Sequence, residues 1–137
     1  GFRLPPEAES EYMLRAAGAA NSNYNFGESE ADLEHYAWYE DNSNGTTHPV
    51  AELKPLIVGG NSFYDLHGNV WEWIYDWHAH QLNAGENPKG SVSGLSHVLR
   101  GGSWKSIAWY LRSVHRLWGA PDGRHGDLGF RLVRTLK

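Results

Sequence analysis

The 137-residue chain contains no cysteine. That absence removes disulfides, thiolate metal sites and thiol nucleophiles together. Long apolar runs are missing too. No stretch approaches the roughly 20 residues that a membrane-spanning helix needs. Positive charge is scarce, with 12 Lys and Arg against 16 Asp and Glu and a formal net charge of −4. A general nucleic-acid binder would want a basic face, so that class of partner is not expected. The chain has no phosphate-binding glycine loop, no Gly-x-Ser-x-Gly and no His-Glu-x-x-His. It offers no nucleophile–base constellation, no internal repeat and no linker.

Aromatics and glycine are abundant: seven Trp, seven Tyr and 16 Gly. Indoles bury large apolar areas, so such a chain is not disordered. The combination predicts one loop-rich domain over 1–137, pinned by aromatic anchors. Residues 7–18 read as a helix. Pro6 suits a first-turn position, Glu7, Glu9 and Glu11 favour the positive end, and Ala8, Tyr12 and Ala16 share one face up to a stop at Gly18. A strand is expected over 70–77, with Val70, Glu72 and Ile74 on one side and Trp71, Trp73 and Tyr75 on the other. A surface loop follows over 79–96. The strand over 97–104 is interrupted by Gly101-Gly102, which signals a bulge or a close backbone approach. Residues 105–128 fit neither period. A closing strand over 129–134 carries Phe130 and Leu132 on one face.

Several motifs follow one another along the chain. They are Arg3-Leu4-Pro5 with Glu7-Ala8-Glu9 and Glu11-Tyr12, then Asp65-Leu66-His67-Gly68-Asn69-Val70-Trp71-Glu72-Trp73 with Asp76-Trp77. Leu99-Arg100-Gly101-Gly102-Ser103-Trp104, Arg112-Ser113 with Arg116, and Gly129-Phe130-Arg131-Leu132-Val133 complete the order. This series resembles the formylglycine-generating enzyme (sulfatase-modifying factor) family over nearly the whole chain. The resemblance implies an α+β fold of the C-type-lectin-like type, with little regular secondary structure. Domains of that family carry a further N-terminal part before the Arg-Leu-Pro motif. The chain is thus expected to correspond to the C-terminal portion of such a domain, with another chain as one source of the rest.

The resemblance also sets expectations about chemistry. Formylglycine-generating members bind copper(I) through cysteine thiolates, one of them at the position of Ser106. A serine hydroxyl cannot replace a soft thiolate, so no copper is expected. In a sulfoxide-synthase branch the iron ligands belong to a different domain. A third branch uses the fold as a binding scaffold, with its variable residues in the region matched by Trp104 to Leu128, of which 104–127 would form the binding face. The expectation is therefore a non-enzymatic domain presenting Lys105, Ser106, Trp109, Tyr110, His115, Trp118 and His125 to a protein or glycan ligand. Leu117 and Asp127 lie in the same region. The alternatives are an interaction subunit of a larger assembly, or the non-catalytic part of an oxidoreductase whose active groups lie elsewhere. Family abundance implies a bacterial source, and surface recognition an extracytoplasmic setting.

The family also implies calcium, with side chains Asp65 and Glu72 and the carbonyls of Gly68 and Val70 as hard oxygen donors. A second calcium position around 37–46 lacks its expected polar ligand at Ala37. Trp71 and Trp73 are expected in the core rather than in a sugar platform with Trp77. Trp104 is expected to be half-buried, and Trp109 and Trp118 to reach solvent. His78 and His80, two apart on a strand, could share a metal but are expected to be solvated. His67 is expected to make a structural hydrogen bond. Arg100, Arg112, Arg116 and Arg131 are expected to pair with Asp76, Asp122 or Asp127, with an anion patch as the sharper alternative.

Overall fold

The structure is a computed structural model that describes residues 1–81 and 88–135. Residues 82–87 of the expected surface loop lie outside the described residues. The elements run β1 (Phe2–Arg3), α1 (Glu7–Leu14), a 3-10 helix (Glu30–His35), β2 (Leu56–Val58), β3 (Asn61–Phe63) and β4 (Trp71–Trp77). They continue with β5 (His97–Arg100), a second 3-10 helix (Ala108–Leu111), β6 (Leu117–Gly119), β7 (Leu128–Gly129) and β8 (Val133–Arg134). A four-stranded sheet in the order β6-β5-β4-β7 forms the centre, with β7 parallel to β4 and the other pairs antiparallel. Two small antiparallel pairs, β1 with β8 and β2 with β3, flank it. Most of the chain is loop, as its glycine and aromatic content predicts. Among the described residues, no helix is long and apolar enough to cross a membrane.

Helix α1 departs from its expected extent and facing. Pro6 is the N-cap residue, and the helix ends at Leu14. Ala16 and Ala17 already occupy left-handed backbone (φ 52° and 56°) before Gly18. The buried residues are Glu7 and Leu14, whereas Tyr12, on the face it shares with Ala8 and Ala16, is 55% exposed. Charge pairing explains the difference. Glu7 takes a forked pair from Arg116, with Nε to Oε1 at 2.6 Å and Nη2 to Oε2 at 2.9 Å. Arg100, 1% exposed, lies 3.7 Å from Glu7 and donates to Glu11 at 2.9 Å. Asp76 accepts the Glu7 backbone N–H at 2.7 Å. Buried carboxylates and guanidiniums must meet, and this overrides the apolar stripe.

The arginines therefore do not pair as expected. Arg100 and Arg116 take Glu7 and Glu11, Arg131 takes Glu72, and Arg112 lies over the Trp109 ring at 5.5 Å. Asp127 pairs instead with Lys105 at 3.1 Å, and Asp122 is exposed.

The Gly pair after β5 makes the close approach that its sequence signals. Gly101 and Gly102 have φ of 96° and 79°. A Cβ on Gly102 would stand 2.6 Å from the Leu111 side chain, so strand and 3-10 helix pack backbone to side chain. The corner at 67–69 meets this pair, because the Gly68 N–H donates to Gly101 O and the Trp104 N–H donates to Asn69 O, each at 2.8 Å. His67 sits beneath, fully buried. Its Nδ1 donates to Leu111 O at 2.7 Å, and its Nε2 accepts the Asn25 N–H at 3.1 Å. Those two partners fix one neutral tautomer. One cluster of buried residues, Tyr24, Leu33, Ala37, Tyr39, Ala108 and Leu111, packs beside it. Trp71 is buried and Trp73 half-buried in the sheet. Phe130 and Leu132 are exposed, because the chain between β7 and β8 is not strand.

Glu7→Ala leaves two guanidiniums short of a buried partner and should cost about 3–5 kcal/mol in urea unfolding. Glu9→Ala removes only an exposed pair with Arg3 and should leave the midpoint unmoved. Equal effects of the two would refute the role given to Glu7. Burial lowers the His67 pKa from 6.5 to about 4. Below pH 6.5 the unfolded chain takes a proton that the folded chain refuses. Stability from this group is thus full above pH 6.5 and falls by roughly 3 kcal/mol as pH drops to 4. Burial lowers His78 and His115 as well, with the same sign. Ring-proton NMR should show His67 untitrated at pH 5.5, and a midpoint near 6.5 would refute the assignment.

Candidate binding face

The segment that follows the Gly pair is tied down at intervals by its own backbone. Trp104 O accepts from Ser43 Oγ at 2.7 Å, Ser106 O from the Glu40 N–H at 3.0 Å, and Ala108 O from Tyr24 Oη at 3.1 Å. Leu111 O takes His67, and His115 O takes Arg100 Nη1 at 2.8 Å. Ser113 donates its N–H to Asn23 O and its hydroxyl to Leu14 O at 2.6 Å. The anchors come from five parts of the chain, around Leu14, Asn23–Tyr24, Glu40–Ser43, His67 and Arg100. Buried backbone groups need such partners, and here the partners hold a stretch with almost no regular structure.

The residues between the anchors face solvent. Trp109 is 48% exposed and Tyr110 40%; beyond the last anchor, Trp118 in β6 is 51% exposed. Ile107 and Val114 are also exposed. Sequence reasoning did not single out these last two, since an isolated branched residue between framework positions carries no signal. Trp109, Tyr110 and His115 contact one another edge to face, with ring centroids 4.7–5.3 Å apart. Such contacts fix the rings before any ligand arrives. Burial and the charges of Arg100 and Arg112 hold the His115 pKa below its usual range, which favours an uncharged ring in this cluster.

Trp118 belongs to a second group, stacked on His78 at 4.3 Å, with His80 edge-on to His78 at 5.5 Å. His78 is half-buried there rather than solvated; His80 is exposed. The pairing of residues 40 positions apart had no sequence signal. A third group joins Lys105 to Asp127 and to the Trp104 ring, whose Nε1 donates to Gly126 O at 3.2 Å. His125 is exposed next to it in sequence. Ser106 departs from the expected ligand set. It is buried, and its Oγ accepts the Ser103 N–H at 3.1 Å and lies 3.1 Å from Ser103 Oγ. It shapes the turn and is closed to solvent.

The expected calcium donors do not fit a cation site in this geometry. Both Glu72 oxygens accept from Arg131, at 2.8–3.1 Å, and Arg131 also donates to the carbonyls of Tyr64 and Asp65. Asp65 Oδ2 accepts the Ala51 N–H at 2.9 Å, leaving Oδ1 without a partner. Gly68 is buried and Val70 half-buried. The guanidinium stands where a metal would have to draw on Glu72. Burial pushes the Glu72 carboxyl up, and the Arg131 charge only partly offsets it. Among the described residues, no three His, Asp or Glu side chains cluster as a metal site.

Comparison with known proteins places this geometry in context. The profile of the Sulfatase-modifying factor enzyme 1-like domain matches residues 1–136. The formylglycine-generating enzyme of Mus musculus is 37% identical over 150 residues, taking in 97% of this chain and 39% of that enzyme. Serine/threonine-protein kinase Pkn1 of Chlamydia trachomatis is 35% identical over 142 residues, covering 100% of this chain and 22% of the kinase. Among solved structures, Treponema denticola variable protein 1 superposes with a TM-score of 0.84 at 41% identity, over 96% of this chain and 47% of that one. The chain spans less than half the length of each.

Because Arg131 already satisfies Glu72, millimolar calcium or excess EDTA should leave the melting temperature unchanged. Arg131→Gln should cost about 2 kcal/mol through lost charged hydrogen bonds. A wild-type melting temperature that rises with calcium would show that the guanidinium yields its place.

Proposed function

Because this chain belongs to the sulfatase-modifying factor family, with its loop-rich, C-type-lectin-like α+β fold, we propose that it acts as a non-enzymatic binding domain. It presents residues 104–127 to a protein or glycan ligand. One observation carries the reading: Trp109 and Tyr110 are exposed on a stretch, 104–115, whose backbone is anchored at intervals, and Trp118 is exposed on β6 next to it. Rigid aromatic side chains with an adjacent arginine are the residue types that dominate binding energy at recognition surfaces. Their fixed contacts reduce the entropy lost on binding. The similarity to a Treponema denticola protein named as variable supports a role in which this region differs between copies.

The chemistry around Ser106 supports a role other than oxidation. A buried hydroxyl paired with Ser103 is a hard, neutral donor. It cannot supply the thiolate that copper(I) prefers, and the chain has no sulfur donor of that kind elsewhere.

The test is a paired measurement on the purified chain. Trp109→Ala with Tyr110→Ala should change unfolding free energy by about 1 kcal/mol or less, because both rings are half-exposed. The same pair should lower affinity at least about 30-fold for any ligand selected from a glycan array or a displayed peptide library, as expected of a hot spot. A stability loss above about 3 kcal/mol would make the rings structural. Formylglycine formed on a sulfatase-type peptide with copper would replace the binding role by catalysis.

A further inference from the structure

The binding face differs in charge from the rest of the chain. Residues 104–127 hold Lys105, Arg112, Arg116 and Arg124 against Asp122 and Asp127, a net +2. The remainder, with 8 cations (12 less 4) against 14 carboxylates (16 less 2), carries −6. Ion pairing inside the fold then leaves one framework arginine unclaimed. Arg100 and Arg116 meet Glu7 and Glu11, and Arg131 meets Glu72. Arg112 pairs with no carboxylate among the described residues. It is half-buried, and its guanidinium carbon lies 5.5 Å from the centre of the exposed Trp109 ring. Its charge acts on the Tyr24 phenol, and its Nε is buried without a hydrogen-bond partner. An arginine lying on an indole by its face keeps N–H donors along its edge, which a carboxylate can take as a fork. The Arg100 and Arg112 charges add to burial in lowering the His115 pKa, so both cations are felt within the ring cluster.

We propose that the ligand of this face is an acidic polypeptide segment, whose Asp or Glu carboxylate pairs with Arg112 while a neighbouring apolar side chain packs on Trp109 and Tyr110. The proposal rests on the binding role given to residues 104–127 and adds the chemistry of the partner. Charge complementarity of this kind sets partner choice and encounter rate. Two observations favour polypeptide over sugar. The Trp109 and Tyr110 planes stand 86° apart, so the two rings make no common flat platform for a sugar. Ile107 and Val114 add exposed aliphatic surface, which suits the side chains of a protein partner.

The probe is a random peptide library displayed against the purified chain. Recovered peptides should carry net negative charge, and each should hold one carboxylate whose replacement by an amide lowers affinity at least about 10-fold. Arg112→Gln should lower affinity by the same factor of about 10, and the two changes together should cost no more than either alone. Arg124→Gln, at an exposed position, should cost about 2-fold or less. If Arg112→Gln unfolds the chain, Arg112→Lys, which keeps the charge but not the fork, should cost about 3-fold or more. Peptides that need Trp109 and Tyr110 but are neutral or basic, and indifferent to Arg112→Gln, overturn the proposal and leave the binding face standing. Peptides indifferent to Trp109→Ala with Tyr110→Ala overturn both. Losses at Arg112 and at the peptide carboxylate that simply add place the two out of contact and also overturn it. So does capture of hyaluronan fragments with no acidic peptide recovered, which would give the carboxylate to a glycan. A dimer of the chain broken by Arg112→Gln counts against it too, since the acidic partner would then be a second copy.

Discussion

One carboxylate holds the two ends of this fold together. Glu7, in the first turn of the helix, receives the Arg116 fork from a loop 109 residues away, with the Arg100 side chain beside it. Arg100 in turn holds the carbonyl of His115. Helix, central sheet and the exposed aromatic segment therefore share one buried set of charges. Such a set contributes little net stability relative to an apolar replacement, but breaking it exposes uncompensated charge to a dry interior. Its value lies in geometry. It admits one placement of the helix, and that placement leaves the apolar side of α1 facing outward.

The aromatic segment illustrates how a domain with few strands stays rigid. Seven of its backbone or hydroxyl contacts go to five separate parts of the chain. His67 is central among them, because its neutral ring bridges Asn25 and Leu111 across the Gly pair. Ser106, where the resemblance implies a thiolate, is turned inward to Ser103.

Much of this frame was legible before any coordinates. The Trp-rich strand β4, the Gly pair as a point of close approach, and the helix beginning at Pro6-Glu7 all follow from local rules. His67 as a hydrogen-bonding residue was legible from its place in the Gly-Asn turn. What escaped was long-range pairing. Nothing near Glu7 tells that its partners are Arg100 and Arg116 rather than water, and the shared face of Ala8, Tyr12 and Ala16 does not say which side of the helix is buried. Equally, a periodicity cannot tell that Arg131 fills the place beside Glu72 that a metal would need. The helix end was misplaced because Gly18 resembles a stop, while Ala16 and Ala17 already turn left-handed without a glycine's freedom. At the candidate site, the exposed indoles were legible, and the inward turn of Ser106 was not.

The anchors along 104–115 have one more consequence. Most of them grip peptide carbonyls, a group every amino acid shares, and the side chains at 105, 107, 109, 110 and 114 play little part in them. Those outward positions are interchangeable as far as the scaffold is concerned. The same framework could carry a large repertoire of surface chemistries, each arriving already folded.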